Sequence, residues 1–133
     1  MTPVVGIVLV SHSAQVAESV ARLAQGLAAG GAVAPVAPAG GSPDGGLGTS
    51  AELILAAAAS VDQGAGVALL TDLGSSVLTV KALLEDGDLP PHSLLVDAPF
   101  LEGAVAAVVA ASAGAPLEAV AAAATEAYAY RKA

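Results

Sequence analysis

Apolar residues along this chain fall into two patterns that alternate. Val4 to Val10 is an almost unbroken aliphatic and β-branched run, short and bounded by polar residues, which predicts a strand buried on both faces. Residues 14 to 29 follow with Val16, Val20, Leu23 and Leu27 at helical spacing. Ser13 is placed to cap that helix and Gly30-Gly31 to stop it. A shorter strand is predicted over Val33 to Ala37. Residues 38 to 48 hold five Gly and two Pro, which predicts a mobile functional loop rather than regular structure. Thr49 or Ser50 then caps a helix reaching about Ser60, with Glu52 in its first turn.

The second half repeats the alternation. Ala65 to Thr71 reads as a third buried strand, and a helix is predicted from about Val77 to Leu84. A turn over Asp88 to Pro91 leads to a fourth strand, Ser93 to Asp97. Helices are predicted from about Leu101 to Ala113, and from Pro116, as first helical residue, to about Tyr130. Strand and helix thus alternate four times. The expectation is a single α/β domain over residues 1–133, with an open, mostly parallel four-stranded sheet, helices on both faces and right-handed crossovers. A flavodoxin-like strand order, 2-1-3-4, makes strands 1 and 3 neighbours at the switch point.

Composition narrows the chemistry. The chain has 133 residues, no Cys and a net charge of -8 from 4 Lys+Arg against 12 Asp+Glu. Disulfides, cysteine nucleophiles and thiolate metal sites are excluded. A nucleic-acid surface is disfavoured, because four cations make no basic stripe. Hydrophobic residues reach 56%, but 34 of them are Ala, which buries little surface. The uncharged stretch 103–117 is 15 residues long and is broken by Gly114 and Pro116, short of the about 20 apolar residues a membrane span needs. The N-terminus has no basic leader region, so the expectation is a cytoplasmic protein without membrane insertion.

Ligands of open α/β sheets sit beyond the carboxyl ends of the strands. Strand 1 ends on Ser11-His12-Ser13, strand 3 on Thr71-Asp72 and strand 4 on Asp97. His12 and Asp72 are therefore expected to face each other across the crevice. An imidazole is nucleophilic near neutral pH, and a carboxylate on its other nitrogen would fix the tautomer. The alternative is a solitary surface histidine. Asp72-Leu73-Gly74-Ser75-Ser76 reads as an anion site, with close backbone at Gly74, free N–H groups at the helix start and two serine hydroxyls. Thr49, after Gly48, has the same potential, and an ordinary helix cap is the alternative for both segments. No Lys or Arg adjoins these strand ends in the sequence, which suits transient phosphoryl transfer better than phosphate storage. His92 falls at the opposite end of the sheet, and two histidines so separated make no metal site. Asp97 lies at the site end of the sheet, with a cap of the turn into Pro99 as the alternative, and Tyr128 and Tyr130 are expected to pack. No nucleotide-binding signature and no G-x-S-x-G elbow occurs.

In order, GIVLVSHS (6–13), Gly48-Thr49, LLTDLGSS (69–76) and DAPFLEGAVAA (97–107) resemble the DhaM family, the phosphotransferase subunit of phosphoenolpyruvate-dependent dihydroxyacetone kinases. That family's relevant domain is similar to the mannose-type enzyme IIA domain of the bacterial sugar phosphotransferase system (PTS). The resemblance implies that His12 is the phosphorylated nucleophile and that Asp72 orients it. It implies that Gly48, Thr49, Gly74 and Ser75 surround the phosphoryl group. It implies phospho-HPr as donor and, as acceptor, ADP held by the DhaL subunit, with dihydroxyacetone phosphorylated downstream on DhaK. No tightly bound cofactor and a homodimer are likewise implied. Since the chain ends after this segment, HPr and enzyme I are expected as separate proteins. Two other functions fit the same residues. One is an enzyme IIA component of a mannose-class sugar transporter, which hands phosphate to an IIB domain. The other is a non-catalytic flavodoxin-like regulatory module.

Overall fold

The computed structural model describes residues 2–133. Four parallel strands form the sheet: β1 (Gly6–Ser11), β2 (Val36–Gly40), β3 (Val67–Thr71) and β4 (Ser93–Leu95). Their order is β2-β1-β3-β4, as the sequence predicts. The helices are α1 (Ala14–Leu27), α2 (Ala51–Val61), α3 (Gly74–Asp86), α4 (Phe100–Ser112) and α5 (Leu117–Glu126), with a final 3₁₀ turn over Ala127–Ala129. Among the described residues no helix is long and apolar enough to cross a membrane.

The alternation of side chains along β1 builds two cores. Ile7 and Leu9 pack with Ala68, Leu70 and the inner faces of α1, α4 and α5. Val8 and Val10 point the other way, into Ile54, Ala58 and Val61 of α2 and Val80 and Leu83 of α3. Every residue of β1 and β3 is buried, so continuous apolar runs rather than alternating ones encode these strands. This covering on both faces fixes the backbone at the carboxyl ends of β1 and β3, where the reactive residues lie.

Several expectations change. β2 runs over Val36–Gly40 instead of Val33 to Ala37, so Pro38 and Gly40 lie within a strand. β2 is an edge strand paired only with β1, and an edge tolerates a proline that lacks an N–H. Its end also needs glycine, because a Cβ at Gly40 would stand 2.4 Å from the Ser13 carbonyl oxygen. The stripe on α1 is the second change. Val20 is buried, but Val16, Leu23 and Leu27 are exposed, and Ala17, Ala21 and Ala24 face the core. Small side chains let α1 lie close over the sheet. Third, α3 starts at Gly74, three residues before its predicted start, which brings Ser75 and Ser76 into its first turn. Ser13 and Ser50 cap α1 and α2 through bonds to the Val16 and Leu53 N–H groups, while Pro116 is the N-cap of α5 rather than its first residue.

Candidate active site

β1 and β3 are adjacent and parallel, with Val10 opposite Thr71. The first residues beyond the two strands, His12 after Ser11 and Asp72 after Thr71, therefore emerge side by side. The Asp72 N–H donates to the Val10 carbonyl oxygen (3.1 Å), which extends the ladder to the site. The His12 Nδ1 lies 2.9 Å from Asp72 Oδ1, and the side chains are 28% and 17% exposed respectively.

Five donors converge on the Asp72 carboxylate. The Ser11 hydroxyl (2.9 Å) and the His12 backbone N–H (3.0 Å) donate to Oδ2. The His12 ring, the Leu73 N–H (2.6 Å) and the Ser76 hydroxyl (3.0 Å) donate to Oδ1. Partial burial alone would raise this carboxyl's pKa. The bonds from the His12 backbone and ring, the Leu73 N–H and the Ser11 hydroxyl outweigh it and bring the pKa from 3.8 down to about 2. At neutral pH Asp72 is thus ionised and accepts only, so the proton of a neutral His12 ring sits on Nδ1. That leaves a lone pair on Nε2, which faces outward and takes a hydrogen bond from the Ser75 hydroxyl.

The Gly-rich segment closes the other side of His12. Residues 38–40 belong to β2, and the remainder is a loop of turns held by its own hydrogen bonds. Gly41 bridges to Thr49, and the Ser42 N–H bonds the Gly46 carbonyl oxygen (2.9 Å). Asp44 accepts from the Gly46 N–H (3.0 Å) and from the Ser42 hydroxyl. The Gly48 N–H donates to the His12 carbonyl oxygen (3.0 Å). The Thr49 hydroxyl is 3.1 Å from that of Ser76, which is fully buried beneath the ring and 3.3 Å from Nδ1. Thr49 thus points inward to Ser76. Ser11 had no role in the sequence reading; its place as the last residue of β1, directly before His12, was the available signal.

α3 opens above the ring with no side-chain cap. As at any helix start, the N–H groups of Gly74 and Ser75 lack an intrahelical acceptor and carry the positive end of the dipole. A cavity of about 460 Å³ adjoins, lined by Thr71, Asp72, Lys81, Asp97 and Tyr128 among others. Lys81, which adjoins no strand end in the sequence, therefore borders the site region. Asp97 accepts from the Tyr128 hydroxyl (2.7 Å), and its carbonyl oxygen accepts from Thr125 (2.7 Å), so it anchors the C-terminal segment. Tyr128 and Tyr130 are exposed instead of packed. His92 precedes β4 at the far end of the sheet, as expected, where its carbonyl oxygen accepts from Val67.

The chain is similar to known proteins in sequence and in fold. The phosphoryl donor subunit DhaM of a PEP-dependent dihydroxyacetone kinase 2 from Listeria innocua is 33% identical over 107 residues, covering 79% of this chain and 84% of that one. The corresponding DhaM of Escherichia coli is 33% identical over 119 residues, 87% of this chain but only 25% of the relative. The chain thus spans about a quarter of the longer relatives. The crystal structure of a protein of unknown function, EF1359, superposes with a TM-score of 0.81 at 28% identity, covering 94% of this chain and 95% of that one. The sequence pattern of the EIIA-man family, described as the PTS system fructose IIA component, matches residues 6–121, and the chain belongs to that family.

Proposed function

We propose that this protein is a phosphoryl carrier in which His12 Nε2 is the acceptor atom. The observation that carries this reading is the orientation of one imidazole, with Nδ1 held by an ionised Asp72 and Nε2 turned out towards the start of α3. In transfer, the donor's P–N bond breaks as the Nε2–P bond forms. The Nδ1 proton stays where it is, and Asp72 offsets the positive charge that develops on the ring. The Ser75 hydroxyl rotates from Nε2 to a phosphoryl oxygen, and the Gly74 and Ser75 N–H groups receive the others. Gly48 and the Thr49 backbone complete the surround, while the Thr49 hydroxyl is turned inward to Ser76.

The donor is phospho-HPr and the acceptor is ADP held by a DhaL subunit, for phosphorylation of dihydroxyacetone on DhaK. The relatives whose names specify a dihydroxyacetone kinase phosphoryl donor support this acceptor. No cation lies within hydrogen-bonding distance of the His12 ring among the described residues. Neutral donors hold a dianionic group loosely, which suits a carrier. In this reading the chain carries no nucleotide of its own and works in the cytoplasm as a homodimer.

Incubation with phosphoenolpyruvate, enzyme I and HPr tests the proposal. The expected product is an acid-labile, base-stable phosphate, absent from His12→Ala. Wild-type protein that stays unlabelled beside an active donor chain refutes it. The family description, a sugar-transport IIA component, favours one second reading, transfer to an IIB domain. Comparing transfer to DhaL–ADP with transfer to an IIB domain separates the two.

A further inference from the structure

The hydroxyls of Thr49 and Ser76 form a row with a single direction. Asp72 is ionised and cannot donate, so the Ser76 proton points to Asp72 Oδ1 (3.0 Å). Ser76 is fully buried, and its oxygen takes the Thr49 hydroxyl proton at 3.1 Å. The order is Thr49 to Ser76 to Asp72, with the His12 Nδ1–H reaching the same carboxylate oxygen beside Ser76, whose Oγ is 3.3 Å from Nδ1. Thr49 belongs to the Gly-rich loop, Ser76 to α3 and Asp72 to the end of β3, so one row joins three elements beneath the ring. Asp72 is the one titratable side chain within hydrogen-bond distance of the ring among the described residues.

We infer that Thr49 and Ser76 are positioning residues, which draw part of the Asp72 charge away from the ring and so set how firmly it holds the His12 Nδ1–H. Hydrogen bonds in a row strengthen one another, so the Thr49 donor sharpens the bond that Ser76 gives to Asp72. Thr49 then acts on His12 only through Ser76. The spectroscopic half of this inference stands on the unphosphorylated protein alone. Its kinetic half rests on the phosphoryl-carrier reading.

The test is nitrogen and proton NMR of the His12 ring at neutral pH, joined to phosphoryl-acceptance kinetics from phospho-HPr. In Ser76→Ala the carboxylate has one donor fewer, and the Nδ1–H resonance moves downfield. In Thr49→Val it moves the same way by less, and Thr49→Ser restores the wild-type position. The double variant Thr49→Val/Ser76→Ala matches Ser76→Ala alone, because the far end of the row has nothing left to act on. The maximal rate of acceptance falls about tenfold in Ser76→Ala and about threefold in Thr49→Val, with KM for the donor unchanged. Additive shifts in the double variant overturn the inference, as does a Thr49→Val ring identical to wild type. Thr49 is only partly buried, so its variants keep the test decisive if Ser76→Ala folds poorly. A wild-type protein that takes no phosphoryl group yet shows the full NMR pattern refutes the carrier reading and leaves the positioning role standing.

Discussion

Replacing Asp72 by Asn keeps the shape of the side chain and removes its ability to accept at both atoms. Oδ2 receives the Ser11 hydroxyl and the His12 backbone N–H, while Oδ1 receives the His12 ring, the Leu73 N–H and the Ser76 hydroxyl. Hydroxyls can turn, but backbone N–H groups cannot. An amide NH₂ therefore confronts the His12 N–H in one orientation and the Leu73 N–H in the other. In the second orientation it also donates to Nδ1, which moves the ring proton to Nε2 and removes the nucleophilic lone pair. The magnitude follows from the carboxyl's depressed pKa. Its drop from 3.8 to about 2 corresponds to roughly 2–3 kcal/mol of preference of the folded state for the ionised form, and the side chain is mostly shielded from water. Because the folded pKa is the lower one, this stability is fully present above about pH 4 and is lost as pH falls towards 2. Asp72→Asn is thus expected to lose roughly 2–3 kcal/mol in urea unfolding at pH 7, and the gap should close between pH 4 and 2. Phosphoryl acceptance is expected to fall about 10²–10⁴-fold, the range associated with a misplaced imidazole proton. A variant within about 0.5 kcal/mol of wild type at pH 7 that still accepts phosphate at the normal rate would refute this account of Asp72.

Ser75→Ala should leave the urea midpoint unchanged, because the side chain is exposed, and should slow acceptance about tenfold in a single-turnover assay. Gly40→Ala sets a Cβ 2.4 Å from the Ser13 carbonyl oxygen and 2.7 Å from the Ala14 Cα. Neither backbone atom can swing aside, so a loss of roughly 1–3 kcal/mol is expected by denaturant titration, and an unchanged midpoint would contradict the close packing. Tyr128 should ionise above its ordinary pKa of 10.0 because its hydroxyl donates to Asp97, and ultraviolet titration of Asp97→Asn should return it towards that value. Lys132→Ala should not move the unfolding midpoint, since the pair with Glu102 is exposed and screened.

The site pair was legible in the sequence for a physical reason. β1 and β3 are buried on both faces, so their apolar runs are unmistakable, and the polar residues that end them mark the carboxyl edge. Parallel order then brings His12 to Asp72. β2 was misplaced because an edge strand carries no such signal and admits Pro38 and Gly40. The stripe on α1 misled because burial there follows closeness of approach, which favours Ala17, Ala21 and Ala24 over the larger Val16 and Leu23. Thr49 and Ser76 were both visible as hydroxyl donors. Whether a hydroxyl faces a ligand or another hydroxyl depends on helix phase and loop path, and α3 starting three residues early turns Ser76 beneath the ring.

The Gly-rich loop hangs from the end of β1 by two backbone bonds, the Gly41 N–H to the Ser11 carbonyl oxygen and the Gly48 N–H to that of His12. A segment so rich in glycine gives up much chain entropy when it orders, so its opening lies at the low end of the local unfolding scale. The amides of Gly41 and Gly48 then exchange with solvent through loop release, well before those inside β1, which wait for the whole domain to open. Their exchange rates measure how often the floor beneath the histidine comes apart while the sheet that carries it stays folded.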